Sequence, residues 1–300
     1  ETKDLITQRG KSMANARGKE IDNTDLSIDQ AEVRGFIHRD YIAHCLRWTH
    51  VAQYLNAKQR YKKANILDIG CGKDMPLARM LMTSRLAPKM YLGFEYNKMD
   101  IPSMFDNTTF KPDVISGQDF TKYPPPPPQG AVFNYTVCFE VLEHVEPLTA
   151  IEILKKVYLW TQPGTISWWS TPCWDEKVGA AKNHVNEMTY EAVGSMLEHC
   201  GYKIHNHWGT FASIKDYKKH LIECGYGDLF ERLRSYYDVN YLATILAPLW
   251  PQYSRNAIWE TEYVGKLTNE ERLFPPISKL EGRLGSSEKL IDLLTCENQE

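Results

Sequence analysis

The run Ile66-Leu67-Asp68-Ile69, closed by Gly70-Cys71-Gly72, restricts this chain more than any other stretch. Four residues are too few for a helix, and a run this apolar does not suit a strand with one wet face. It suits a strand buried on both faces, which means a parallel strand in an α/β sheet. The two glycines let the chain turn sharply at the strand end. They also let a ligand approach the backbone, because no Cβ intervenes. Leu77 to Arg85 then reads as a helix.

The same logic yields further strands. Met90 to Glu95 is the second, and its terminal Glu95 stands some two dozen residues beyond the glycine turn. An acidic side chain there can accept hydrogen bonds from both hydroxyls of a ribose. Pro112 to Phe120 holds a short third strand and its exit, and Ala131 to Cys138 forms the fourth. A helix over Leu148 to Trp160 stops at Gln162-Pro163-Gly164, followed by a fifth strand, Thr165 to Ser170. Tyr202 to Trp208 is the sixth strand. Ala257 to Val264 alternates like an edge strand and reads as an antiparallel seventh. Ahead of the first strand, Tyr41, Cys45, Trp48, Ala52 and Leu55 share one helix face, with Arg39, Arg47 and Lys58 off that stripe. His38, His44 and His50 recur every six residues, a period that does not keep them on one face, so no metal site is expected there. The five prolines Pro124 to Pro128 form a stiff surface connection.

Leu67 to Gly72, Phe139 to Val145 with its Leu142-Glu143-His144 signature, and His184 to Thr189 occur in that order and at family spacing. Together they resemble the Rossmann-like, class I S-adenosylmethionine-dependent methyltransferases, in the branch with a Leu-Glu-His fourth motif. The resemblance covers residues 36–264. It implies a doubly wound, seven-stranded, mostly parallel sheet with an antiparallel last strand, and a helical insertion between strands six and seven at about 210–254. It implies S-adenosyl-L-methionine as cofactor, held by Asp68, Gly70, Cys71, Gly72, Glu95, Tyr96, Asp119, Phe120, Phe139 and Glu140. Asp119 would reach the adenine amino group, with Phe120 against the ring. His184 and His144 are the candidate bases. Each also has a structural reading, His184 as a loop hydrogen-bonder and His144 as an orienter of its helix or a cofactor-side residue. Asp74 stands where the family shows a third glycine; it could cap the following helix and is tolerable beside a cofactor's ammonium group. The leading helix either packs on the sheet or covers the cofactor pocket. Thr189 caps a helix over Tyr190 to Cys200.

Residues 1–35 are a polar arm, and Met13-Ala14-Asn15 is compatible with an internal start. In the insertion, His220, Tyr226, Tyr236, Tyr237, Tyr241 and Trp250 form an aromatic wall for packing, or for lining a substrate pocket. Residues 265–300 carry Leu280, Leu284, Leu290, Ile291 and Leu294, a hint of weak helices that pack back or mediate a contact. The seven scattered cysteines, with no CxxC pair, argue against a disulfide scaffold or zinc ribbon and for reduced thiols in a cytoplasm. No apolar stretch reaches membrane length, and there is no signal-peptide core. Cys173 follows a proline as in cytosine-C5 methyltransferases, but after the fifth strand rather than the fourth, so it reads as a loop or packing residue.

The acceptor is expected to be an oxygen or nitrogen of a small molecule or nucleotide. A nucleic-acid acceptor is the alternative, less favoured at a net charge of −3. It would use a basic face drawn from Arg34, Arg39, Arg47, Arg60, Lys62 and Lys63, and the Asp-Pro-Pro-Tyr-like tetrapeptide of amino-methylating DNA enzymes is absent. A non-catalytic S-adenosylmethionine-binding partner protein is a third reading. No metal is expected.

Overall fold

In the computed structural model the described residues are 39–83, 86–126, 133–176, 179–212, 214–236, 245–280 and 283–287. The arm over 1–35, Pro127 and Pro128, Tyr237, Tyr241, and the leucines and isoleucine beyond 288 lie outside them. Seven strands form one sheet: β1 (Asn65–Ile69), β2 (Met90–Glu95), β3 (Asp113–Ser116), β4 (Phe133–Phe139), β5 (Thr161–Pro172), β6 (Tyr202–Ala212) and β7 (Ser254–Tyr263). Their spatial order is β3-β2-β1-β4-β5-β7-β6. β1 pairs in parallel with β2 on one side and β4 on the other, Asp68 lying opposite Gly93 and Val137. β7 runs antiparallel to both neighbours.

The central strands are buried on both faces, and side chains alternate between them. Leu67, Ile69, Cys138, Trp169 and Trp259 point into one apolar layer. Ile66, Val137, Trp168 and Ile258 point into the other. The second layer is closed by α1 (Arg39–Asn56) and α2 (Pro76–Thr83), through Val51, Ala52, Leu55, Leu77, Ala78 and Leu81. The first is closed by α3 (Pro147–Val157) and α4 (Tyr190–His199). Proline at the first position of α3 suits a turn whose N–H groups have no helical partner. Thr189 caps α4, its hydroxyl accepting from Ala192 N–H at 3.1 Å.

Several expectations need correction. β7 is not an edge: it lies between β5 and β6, and β6 is the edge. Its Glu260 reads as solvent-facing but is 7% exposed and has partners on both neighbouring strands. The Glu260 carboxylate accepts from Trp168 Nε1 at 3.0 Å and Asn206 Nδ2 at 3.1 Å. Arg47 was set off the apolar stripe of α1, yet it is 1% exposed and shares the inward face with Val51 and Leu55. β5 begins at Thr161, ahead of the expected helix stop. The intervening Gln162–Gly164 are accommodated by a register shift against β4 between Phe133 and Tyr135. Asp74 stands one position too early to cap α2, because Met75 immediately precedes Pro76.

The insertion holds α5 (Ile214–Glu223) and α6 (Gly227–Arg234). Leu221, Phe230 and Ala247 make a small cluster of their own, and His220 packs on Trp250 and Tyr253 with ring centroids 5.1 and 4.8 Å away. Residues after β7 pack back on α4: Phe274, Ile277, Leu280 and Leu284 join its apolar layer, around a short 3-10 turn at Ile277–Lys279.

Phe274 covers Gly194 of α4 so closely that a Cβ there would lie 2.5 Å from its ring. Alanine is the better helix former by about 1 kcal/mol, but overpacking costs about 1–3 kcal/mol. Gly194→Ala should therefore lower the unfolding free energy in urea denaturation. In a Phe274→Ala background the same change should become neutral or stabilising; a loss of equal size in both backgrounds would disprove the contact.

Candidate active site

The carboxyl ends of the strands open onto one cavity of about 1310 Å³. Its walls come from the exits of β1, β2 and β4, the loop after β3, and the segment between β5 and α4. Ligands bind at such an end in open α/β sheets because the exits of neighbouring strands diverge there.

At the β1 exit, Gly70 and Gly72 hold φ angles of +70° and +71°, which only glycine adopts without strain. A Cβ on Gly70 would strike Val141 at 2.3 Å, so the turn can pack against the β4 exit only without a side chain. Gly70 N–H and Cys71 N–H donate to the Phe94 carbonyl at 2.7 and 3.2 Å, docking the turn onto β2. Glu95 sits beside it with both carboxylate oxygens oriented by the backbone: Oε2 accepts from Gly72 N–H at 3.1 Å and Oε1 from Asn97 N–H at 3.0 Å. Below the turn, buried Asp68 accepts from the Tyr91 hydroxyl. Burial raises the Asp68 carboxyl to about 7, and Glu95 nearby pushes the same way, against the Tyr91 hydrogen bond. Asp74 lines the cavity wall and Tyr96, 73% exposed, its rim.

Asp119 and Phe120 also line the cavity, but each has local partners. Asp119 Oδ1 accepts from Thr121 N–H and Oγ1 at 2.9 and 2.7 Å, and Thr121 and Lys122 together hold its pKa down. The Phe120 ring packs edge-on against Phe94 at 5.1 Å and tilted against Trp160 at 5.7 Å. Cys71 and Cys173 are buried thiols pushed far up in pKa, by burial first and by Asp68 or Glu140 next. Such thiols are poor nucleophiles.

Past β4, Phe139 lines the wall and Glu140 adopts φ +57°, a costly conformation for a side-chain-bearing residue. Its partners hold it there. Glu140 Oε1 accepts from Ser170 Oγ at 2.8 Å and faces Arg47 Nη1 at 3.3 Å, and Oε2 accepts from Asn256 Nδ2 at 2.8 Å. Arg47 Nη1 also donates to Asn256 Oδ1 at 3.0 Å. The basic face proposed from sequence thus loses Arg47 to the interior, while Arg60 stacks over Tyr54 at 4.2 Å. The pairing of Arg47 with Asn256 escaped sequence reasoning, since nothing in local periodicity joins positions 209 residues apart.

Glu143, His144 and His184 converge. The main-chain carbonyl of Glu143 accepts from Val185 N–H at 2.9 Å and Asn186 N–H at 3.1 Å, strapping the later loop to the β4 exit. Glu143 Oε2 accepts from Thr171 Oγ1 at 3.0 Å, and burial, then Glu140, pushes its carboxyl well up. His144 Nδ1 lies 3.1 Å from the Asn183 carbonyl, and His184 Nδ1 lies 2.5 Å from Glu187 Oε1. The two imidazoles meet edge to face, centroids 4.7 Å apart. The sequence offered these histidines as separate candidates; the fold makes them neighbours.

The sequence model of a family described as a methyltransferase domain matches residues 38–226. No curated protein sequence matches the chain. Among solved structures it is similar to magnesium protoporphyrin IX methyltransferase (ChlM) from Synechocystis PCC 6803 with bound SAH, at 12% identity and TM-score 0.47, covering 87% of this chain and 99% of that one. An S-adenosylmethionine-dependent methyltransferase from Clostridium acetobutylicum ATCC 824 aligns at 10% identity and TM-score 0.47, over 79% and 97% of the two chains. The methyltransferase domain of bacterial CtHen1-CN aligns at 14% identity and TM-score 0.45, over 73% and 99%. Among the described residues no helix is long and apolar enough to cross a membrane.

Asp68 carries a testable penalty. Its folded pKa, about 7, lies above the unfolded value of about 3.9, so the folded state binds more protons between those limits. Stability contributed at this site therefore falls as pH rises from about 4 to about 7, by at most about 4 kcal/mol. Asparagine keeps an acceptor for Tyr91 without the charge. In ligand-free protein, Asp68→Asn should melt above the parent at pH 7.5, and the gap should close toward pH 4. A gap independent of pH would show that Asp68 does not titrate this way.

Proposed function

The chain belongs to the methyltransferase-domain family, and from that premise we propose that it transfers the methyl group of S-adenosylmethionine to an oxygen or nitrogen of a small molecule or nucleotide. The observation that carries the cofactor assignment is the Glu95 carboxylate, oriented by Gly72 N–H and Asn97 N–H beside a turn that has no side chains at Gly70 and Gly72. A carboxylate so held can receive two ribose hydroxyls, while the bare turn admits the cofactor against the backbone. In this reading Cys71 contributes its main chain, Asp68 supports the turn from below, and Tyr96 covers the ribose edge. Asp119 and Phe120 border the adenine, and Phe139 and Glu140 border the reacting end.

The cofactor supplies a methyl group on a positively charged sulfur, which leaves as a neutral thioether and needs no acid. What remains for the protein is to align the acceptor, exclude water and receive a proton where the acceptor carries one. His184, held by Glu187, and His144, held at Asn183, are the candidate proton acceptors. The cavity volume, about 1310 Å³, supports a cofactor and a compact acceptor side by side. The burial of Arg47 and the stacking of Arg60 leave a nucleic-acid acceptor with less of the basic face it would use.

Calorimetry with S-adenosylhomocysteine tests the cofactor site. The parent protein should bind it, and Glu95→Ala should weaken binding at least tenfold with an unchanged melting temperature. Equal affinity in both proteins would overturn the assignment of Glu95.

A further inference from the structure

Glu143, His144 and His184 each bring a ligand atom within 4.8 Å of the others, at the wall of the cavity. We propose that these three side chains form a binding site for a divalent first-row metal ion, which holds and activates an acceptor oxygen.

The distances suit an ion better than direct hydrogen bonding. His144 Nε2 and Glu143 Oε1 are 3.9 Å apart, too far for a hydrogen bond. Donors around an ion with bonds of about 2.1 Å stand roughly 3 to 3.5 Å from one another, so a set spread over as much as 4.8 Å closes with a contraction of about 1.8 Å at most. The imidazoles are also prepared as ligands. Each has Nδ1 against an acceptor: the Asn183 carbonyl at 3.1 Å for His144, and the Glu187 carboxylate at 2.5 Å for His184. An acceptor there fixes the proton on Nδ1 and puts the lone pair on Nε2, the arrangement that metal-bound histidines show. Glu187 is itself fixed, accepting from Ala181 N–H at 3.0 Å. The Glu143 carboxylate is anchored at Oε2 by Thr171 while Oε1 faces His144. The main-chain strap from Glu143 to Val185 and Asn186 sets the spacing between the two arms of the site. Glu140, though adjacent, is committed to Arg47, Ser170 and Asn256, so the protein ligands number three.

Two imidazoles and one carboxylate suit Mn²⁺, Co²⁺ or Zn²⁺ better than Ca²⁺, which prefers an all-oxygen shell. Three protein ligands leave positions open for substrate. The consequence for the reaction rests on the methyltransferase reading and replaces proton acceptance by His144 and His184, whose Nε2 lone pairs the ion then takes. The ion binds an acceptor hydroxyl and lowers its pKa, and its proton passes to solvent. The oxygen lone pair then forms the O–C bond as the C–S bond breaks, leaving that electron pair on sulfur. The acceptor class this site selects is accordingly a hydroxyl rather than an amine.

The test uses full-length protein stripped with EDTA and titrated with Mn²⁺ by calorimetry, with Co²⁺ absorption as a spectroscopic readout. One ion should bind per chain, with His144→Ala and His184→Ala each weakening it at least tenfold. Thermal melts identify any variant that fails to fold, and His184→Gln then replaces it. Absence of Mn²⁺ and Co²⁺ binding by the parent, or parent-like binding by both histidine variants, would overturn the site. S-adenosylhomocysteine binding is measured on the same EDTA-treated sample. If it persists while metal binding fails, only the metal proposal falls; if it fails while metal binds, the cofactor reading falls and the metal site stands.

Discussion

Parallel pairing of β1 on both sides governs everything at the open end of this sheet. With β2 on one flank and β4 on the other, the ends of both neighbours lie beside the Gly70–Gly72 turn. Burial on both faces requires the apolar run to end abruptly, and the turn must then pass between the Phe94 carbonyl and Val141 with no side chain of its own. The orientation of Glu95 follows, because Gly72 N–H is one of the groups that orient it. Shifting β1 by one residue would move Asp68 to the opposite face and separate it from Tyr91.

A second constraint acts where β4 ends. Glu140 occupies a conformation that most residues avoid, and its partners come from α1, β5 and β7. Truncating one partner of such a buried ionic cluster is costly, since a charge is left behind without compensation. The cluster ties the leading helix to the β4 exit and so sets the side of the cavity where Phe139, Glu143 and His144 emerge. Across from it, the main-chain bonds from Val185 and Asn186 to Glu143 carry His184 inward. Rigidity on both sides is what makes the spacing of Glu143, His144 and His184 meaningful rather than incidental.

The strands, their order along the chain and the glycine turn were legible because each rests on local physics: apolar runs of strand length, glycine where backbone must bend, and proline or glycine where helices stop. The position of Glu95, at the end of β2 beside the turn, was legible for the same reason. Arg47 was misread because periodicity ranks residues by polarity, whereas its burial depends on Glu140 and Asn256. The interior position of β7 was misread likewise: Glu260 looks solvent-facing until Trp168 and Asn206 are brought beside it.

The sequence alone therefore determined the α/β architecture, the turn at the end of β1 and the chemical types available along the cavity, because these follow from short-range pattern and conformational preference. Tertiary structure alone decided which polar residues are interior, which partners orient Glu95, and that Glu143, His144 and His184 share one corner. The physical reason is that such pairings form between segments far apart in the chain, where the free energy of burying a charge depends on a partner that no local pattern announces.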